Sequence, residues 1–214
     1  MRTILNRCFL LLFLPVAVIA QENDFQTWAS ISASKKLIKK TDIFFKQGIR
    51  FRENSSLKSK LFTDLKIKRK HNKHFFYAVG YRFSNDWDKQ LDFSQKSRFY
   101  ADIYYKDKYK KRFLVSMRAR YQTQGNVQEY FSALRHKSAF AYNIKRTKLE
   151  PSIALEYFLY LESMLVEKIR YTIALARPLT KDLDAEIAYR IQQEFYANIP
   201  ETLFIFEGKL SYDF

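Results

Sequence analysis

The chain has 214 residues, with 38 lysines and arginines against 22 acids, a formal net charge of +16, and a single cysteine. Only four glycines and four prolines occur and no low-complexity linker appears, so one domain is expected rather than two. Residues 1–20 read as a secretory leader: Arg2 and Arg7 form a basic start, residues 9–19 are an almost unbroken apolar run, and Val18-Ile19-Ala20 offers a cleavage site before Gln21. Cys8 precedes the apolar run, whereas a lipidation cysteine would close it. Cleavage removes two arginines and no acid, leaving a net +14 and no cysteine, which excludes disulfides and thiol chemistry. Export also argues against nucleic acid as the partner behind the positive charge. After Gln21 no stretch is long and apolar enough for a spanning helix.

From Gln26 onward the dominant period is two. Eleven alternating segments follow in order: 25–35, 41–52, 57–68, 74–83, 97–106, 112–122, 133–144, 149–160, 167–179, 183–193 and 202–214. In the fourth, for example, Phe75, Tyr77, Val79, Tyr81 and Phe83 alternate with Phe76, Ala78, Gly80 and Arg82. Alternation sends successive side chains to opposite faces of a sheet, so each segment has one oily and one polar face. No window keeps a helical period, and the chain is predicted to be all-β.

The connections look sorted by length. Short basic turns are expected at 70–73, 106–111, 145–148 and 180–182, and longer stretches at 85–95, 124–130, 162–167 and 196–202. The polar face carries Lys46, Arg50, Lys66, Arg82, Arg98, Arg118, Arg120, Arg135, Lys137, Lys168, Arg170, Arg190 and Lys209 among others. A soluble barrel would turn the oil inward and an outer-membrane barrel would turn it outward; periodicity alone does not separate the two. Export, loop sorting and the ending on Phe214, in phase with Phe206, Leu210 and Tyr212 on the oily face, favour the second. The expectation is a transmembrane antiparallel up-and-down β-barrel of 10–12 strands, spanning residues 21–214, in the outer membrane. Its last strand would carry the signal read by the barrel-assembly machinery (Phe206, Leu210, Tyr212, Phe214). Bacterial single-chain barrels have even strand numbers, so eleven segments imply that 25–35 is not an ordinary wall strand or that one strand has been missed.

The stretches "DFQTWASISA", "SKKLIKKTD", "GIRFRENSS", "YAVGYRF" and the closing "GKLSYDF" resemble the domain-of-unknown-function family 2490, over essentially the whole chain after residue 20. That resemblance implies an outer-membrane barrel of Gram-negative bacteria, and it brings no catalytic residue with it.

Candidate chemistry centres on the polar face. Arg82, Arg98, Arg118, Arg120, Arg135, Lys137, Lys168, Arg170 and Arg190 form a basic strip that would suit small anionic solutes, as in a narrow anion-preferring channel or a porin for acidic oligosaccharides. The competing expectation is a structural or interaction barrel in which the same cations pair with Asp64, Asp102, Glu156, Asp184, Glu186 and Glu207 in a filled interior. His136 and Ser138, two apart on the oily face, have the residue types of a lipid hydrolase. However, no outward amide is evident on the next segment, so no enzyme is expected. His71 and His74 lie in a lysine-rich turn without a nearby Cys or carboxylate in sequence and are expected to be solvated rather than to bind metal. No glycine-rich phosphate loop or nucleophile elbow occurs, and no cofactor is expected.

Overall fold

The computed structural model describes residues 22–110, 112–196 and 200–214. The expected leader and its cleavage site before Gln21 lie outside the described residues. Eleven strands follow one another: β1 (Glu22–Ile38), β2 (Thr41–Arg52), β3 (Leu57–Lys70), β4 (Phe75–Trp87), β5 (Phe93–Tyr109), β6 (Phe113–Gly125), β7 (Tyr130–Tyr142), β8 (Glu150–Tyr160), β9 (Leu165–Pro178), β10 (Leu183–Glu194) and β11 (Glu201–Asp213). Each pairs with its chain neighbours, and β1 closes on β11 to complete a barrel. The all-β barrel read from the alternation is therefore present.

Two expectations are corrected. Neither an even count nor a purely antiparallel wall is found. Strands joined by hairpins alternate in direction, so with eleven of them the first and last run the same way and must close in parallel. They do so from Glu22↔Glu201 to Ser34↔Asp213. The segment at 25–35 is thus a full wall strand. Small polar residues line this seam inside: Ser32 Oγ lies 2.9 Å from Ser211 Oγ, and Ser34 Oγ donates to Asp213 Oδ1. Beyond it, Phe214 N donates to Ser34 O at 2.8 Å.

Loop sorting is the second correction. The connections 53–56, 88–92, 126–129, 161–164 and 195–200 leave one rim, and 39–40, 71–74, 110–112, 143–149 and 179–182 leave the other. The longest of all, 143–149, is at the rim expected to carry only short turns. The strands simply extend: β4 and β5 pair out to Trp87↔Phe93, and β6 and β7 out to Gly125↔Tyr130, absorbing half of the presumed long stretches 85–95 and 124–130. Polar residues there gave no apolar alternation, but backbone pairing needs none. What distinguishes the rims is charge. The rim of 39–40 carries Lys39, Lys40, Lys73, Lys110, Arg112, Lys145, Arg146, Lys148 and Lys181 against Asp182, whereas the opposite rim carries Glu53, Asp88, Asp92, Glu129 and Glu162 against Lys89.

The period of two is resolved into inside and outside. Large apolar side chains are exposed on the outer face of all eleven strands, including Ile31, Phe45, Leu65, Val79, Phe99, Met117, Leu134, Ile153, Ile173, Ile187 and Phe206. The buried polar residues include Asp64, Asp102, Arg120, Arg135, Glu156, Arg190 and Glu207, all on the inner face. Among the described residues no apolar core runs through the barrel, and the one apolar cluster of buried residues is Trp28, Leu203 and Ile205, beside the seam.

Candidate functional site

The inner wall is built from a repeated layer. On β3, the Phe62 ring packs over Gly48 on β2, so close that a Cβ at residue 48 would sit 2.4 Å from its tip. On β5, Tyr100 covers Gly80 of β4 in the same way, with a would-be Cβ at 2.3 Å. Glycine is needed here for close approach, not for an unusual φ. A guanidinium then covers each ring: Arg82 is 4.1 Å from the Phe62 centroid and Arg120 is 3.8 Å from that of Tyr100. Each arginine also meets the carboxylate directly opposite it on the neighbouring strand. Arg82 Nε donates to Asp64 at 2.8 Å, and Arg120 forms two bonds to Asp102 at 2.6 and 2.7 Å. Tyr100 Oη donates to Asp64 at 2.6 Å and Tyr104 Oη to Asp102 at 2.6 Å. Ring stacking and paired hydrogen bonds hold these guanidinium groups in fixed planes.

On the opposite wall one acid serves several bases. Glu156 of β8 is shared by three arginines: Arg118 Nη2 at 2.5 Å, Arg135 Nη2 at 2.7 Å and Arg170 Nη1 at 3.5 Å. Arg135 lies over the Phe158 ring at 4.3 Å. Arg190 reaches Glu207 at 2.5 Å and Thr172 at 3.0 Å. Lys168 meets Glu194 at 2.7 Å, and Lys209 meets Glu186 at 2.5 Å. Towards the basic rim the inner side chains shrink to Ala154, Ala174, Ala176 and Ala188, and a cavity of about 730 Å³ lies there between 143–149 and β9–β11.

A second cavity of about 490 Å³ lies inside the barrel and is lined by thirteen cationic side chains and three carboxylates. All nine members of the predicted basic strip, Arg82, Arg98, Arg118, Arg120, Arg135, Lys137, Lys168, Arg170 and Arg190, line it. Sequence reasoning left out of that strip four more: Lys46, Arg50, Lys66 and Lys209. Their alternation had put them on the polar face, but without the register nothing joined them to the others. Asp184, proposed as an internal counter-charge, instead lines the cavity near the rim.

The outer face handles its few polar groups differently. Tyr81 Oη meets Ser97 Oγ at 2.9 Å, Thr63 Oγ1 donates to Gln47 Oε1 at 2.6 Å, and His136 Nε2 lies 2.9 Å from Ser138 Oγ. The structure thus brings His136 and Ser138 together. Their lateral neighbours are Ala119 and Tyr157 for the histidine and Met117 and Leu155 for the serine, none of which supplies a carboxylate or amide. Tyr157 stacks on the imidazole, with centroids 5.3 Å apart. His74 does meet an acid, contrary to expectation: Asp107 from β5 lies 3.4 Å from its Nδ1 because β5 runs past the turn. His71 packs edge-on against Tyr77. Phe206, Leu210, Tyr212 and Phe214 all face outward, and the last two rings touch at 4.7 Å.

Fold and interior together define a closed β-barrel with an apolar outer wall and an ionic, mainly basic lumen. Residues 25–202 match the family described as "Protein of unknown function (DUF2490)", and the chain belongs to that family. Comparison with curated proteins gave no match.

Proposed function

We propose that the protein is an outer-membrane β-barrel of structural or interaction type whose charged lumen is closed at mid-height. In this reading a signal peptide directs export, and the barrel-assembly machinery inserts the chain. The single observation that carries the location is the exposed apolar outer wall on every strand around an ionic interior. In water such a surface is an aggregation liability far above the few hundred Å² usual for soluble monomers; in acyl chains it is the ordinary outer face of a barrel. Mutual pairing of outward hydroxyl, amide and imidazole groups also suits a solvent that offers no hydrogen bonds. The outward alternation of Phe206, Leu210, Tyr212 and Phe214 supports handling by the assembly machinery.

Closure rests on the packing of the lumen. Trp28, Phe62, Tyr100, Arg120, Phe158 and Ile205 come from six different strands and are all buried, with Ile205 at 0% exposure. Steady conductance is therefore not expected when the purified, folded barrel is inserted into a planar bilayer. The basic lining favours one alternative, a narrow anion-preferring channel. Sustained anion-selective current, reduced by replacing Arg118 and Arg120, would establish that channel and overturn the closed lumen. We assign the His136 and Ser138 contact no hydrolytic role. It satisfies two polar groups on an apolar face, and Ser138→Ala is expected to leave phospholipid turnover at the background level of the unaltered protein.

A further inference from the structure

The lumen carries more positive charge than its own acids balance. Beyond the three carboxylates on the cavity surface, Asp102, Glu186 and Glu194 meet lining cations from the side. Six acids therefore face thirteen bases. Among the described residues Lys46, Arg50, Lys66, Arg98 and Lys137 make no ion pair. Burying unpaired ions of one sign is strongly unfavourable, and mutual repulsion adds to it. A wall arranged this way needs a counter-charge that the chain does not provide.

The geometry points to what that counter-charge is. Arg50 of β2 lies face-on against Trp28, its central carbon 3.7 Å from the ring centroid, and makes no hydrogen bond to the protein through its edge. Stacking fixes the plane while leaving the forked N–H groups, which match a planar oxyanion, unused. Lys46 is four residues away on the same inner face, its ammonium 6.0 Å from the Phe62 ring centroid. Lys137 projects from β7, on the far side of an eleven-strand ring from β2. The residue opposite it on β8, Glu156, is already engaged by Arg118, Arg135 and Arg170. A single small monovalent ion neutralises one wall and leaves the other uncompensated.

We propose that the lumen is a binding site for a small multivalent oxyanion, an anion bearing two or more phosphate or carboxylate groups, held between Arg50 and Lys46 on one wall and Lys137 on the other. A cavity of about 490 Å³ falls within the range of small-molecule sites. The proposal rests on the basic lumen described above but not on its closure, since a channel could carry the same site.

The test is calorimetric titration of the folded, detergent-solubilised barrel with tripolyphosphate and with citrate, against sodium chloride at matched ionic strength. Saturable one-to-one binding of at least one multivalent anion is expected, and the tighter of the two identifies the group recognised. Lys137→Gln and Arg50→Gln should each weaken it by about tenfold or more, while Lys181→Gln, on the rim, should leave it unchanged. Lys137 stacks on no ring, so its variant still reads the site if Arg50→Gln fails to fold. Binding no greater than that of matched chloride, or equal loss in Lys181→Gln and Lys137→Gln, overturns the proposal. Planar-bilayer recordings on the same preparation report closure independently, because a conducting barrel would show the site as block by the multivalent anion.

Discussion

Inner and outer walls of this barrel treat polar groups in opposite ways. Outside, polar groups near mid-height meet one another, as at Tyr81 and Ser97 or His136 and Ser138. Inside, charges are dense and unbalanced: one glutamate, 4% exposed, serves three arginines. A single sequence that hides its polar groups so carefully on one face has not left cations unpaired on the other for want of partners. On the proposed outer-membrane reading the contrast has one cause: the two walls answer to different media, one without hydrogen-bonding capacity and one that supplies water and anions.

The largest break in this contrast is expected at the shared glutamate. Glu156→Gln leaves Arg118, Arg135 and Arg170 without their carboxylate and should cost about 3–5 kcal/mol, read as a lower midpoint for the heat- or urea-induced mobility change. Added tripolyphosphate should recover part of that loss if an anion can stand in for the side chain. On the outer wall, Ile173→Lys places a cation at the middle of β9 and should destabilise the bilayer-inserted barrel by about 2–4 kcal/mol, measured by unfolding from lipid vesicles. The inward Thr172→Lys, next to it in sequence, tests the other face and should not carry the lipid penalty.

Smaller effects probe the layered wall. Gly80→Ala drives a methyl into Tyr100 and disturbs both the Arg120 stack and the Asp64 bond, for an expected loss of about 1–3 kcal/mol. Gly208→Ala is the control, since nothing lies within 4 Å of the added carbon, and its stability should be unchanged. Last, His136→Phe keeps the stack on Tyr157 but leaves the Ser138 hydroxyl alone, for about 0.5–1.5 kcal/mol.

Much of this was legible in the sequence. A period of two depends only on which face a residue takes, so the eleven strands and the inner strip from Arg82 to Arg190 could be read one segment at a time. Closure could not, because whether β1 pairs with β11 is decided by strand parity and register rather than by any residue of 25–35. Loop sorting failed where polar residues such as those at 85–86 and 94–96 continue the backbone ladder without an apolar alternation. Glu156 was named as a counter-charge, but its three partners come from β6, β7 and β9, and only a register brings them together. One signal was present and unused. In both Phe62-x-Asp64 and Tyr100-x-Asp102 an aromatic precedes an aspartate by two, and an arginine follows eighteen residues after the acid, at Arg82 and Arg120.

The central claim is that acyl chains surround the outer wall while the lumen is shielded from them. The one cysteine, Cys8, lies in the expected leader, so a thiol placed in the remaining chain is unique. The direct measurement attaches a small fluorophore at Ile173→Cys and, separately, at Lys137→Cys, reconstitutes each into vesicles, and compares quenching by lipids brominated near the bilayer centre. The outward label should be strongly quenched and the inward one spared. An outward label that the bromolipids leave untouched, on a barrel that stays folded and dispersed in water without detergent, would contradict the account.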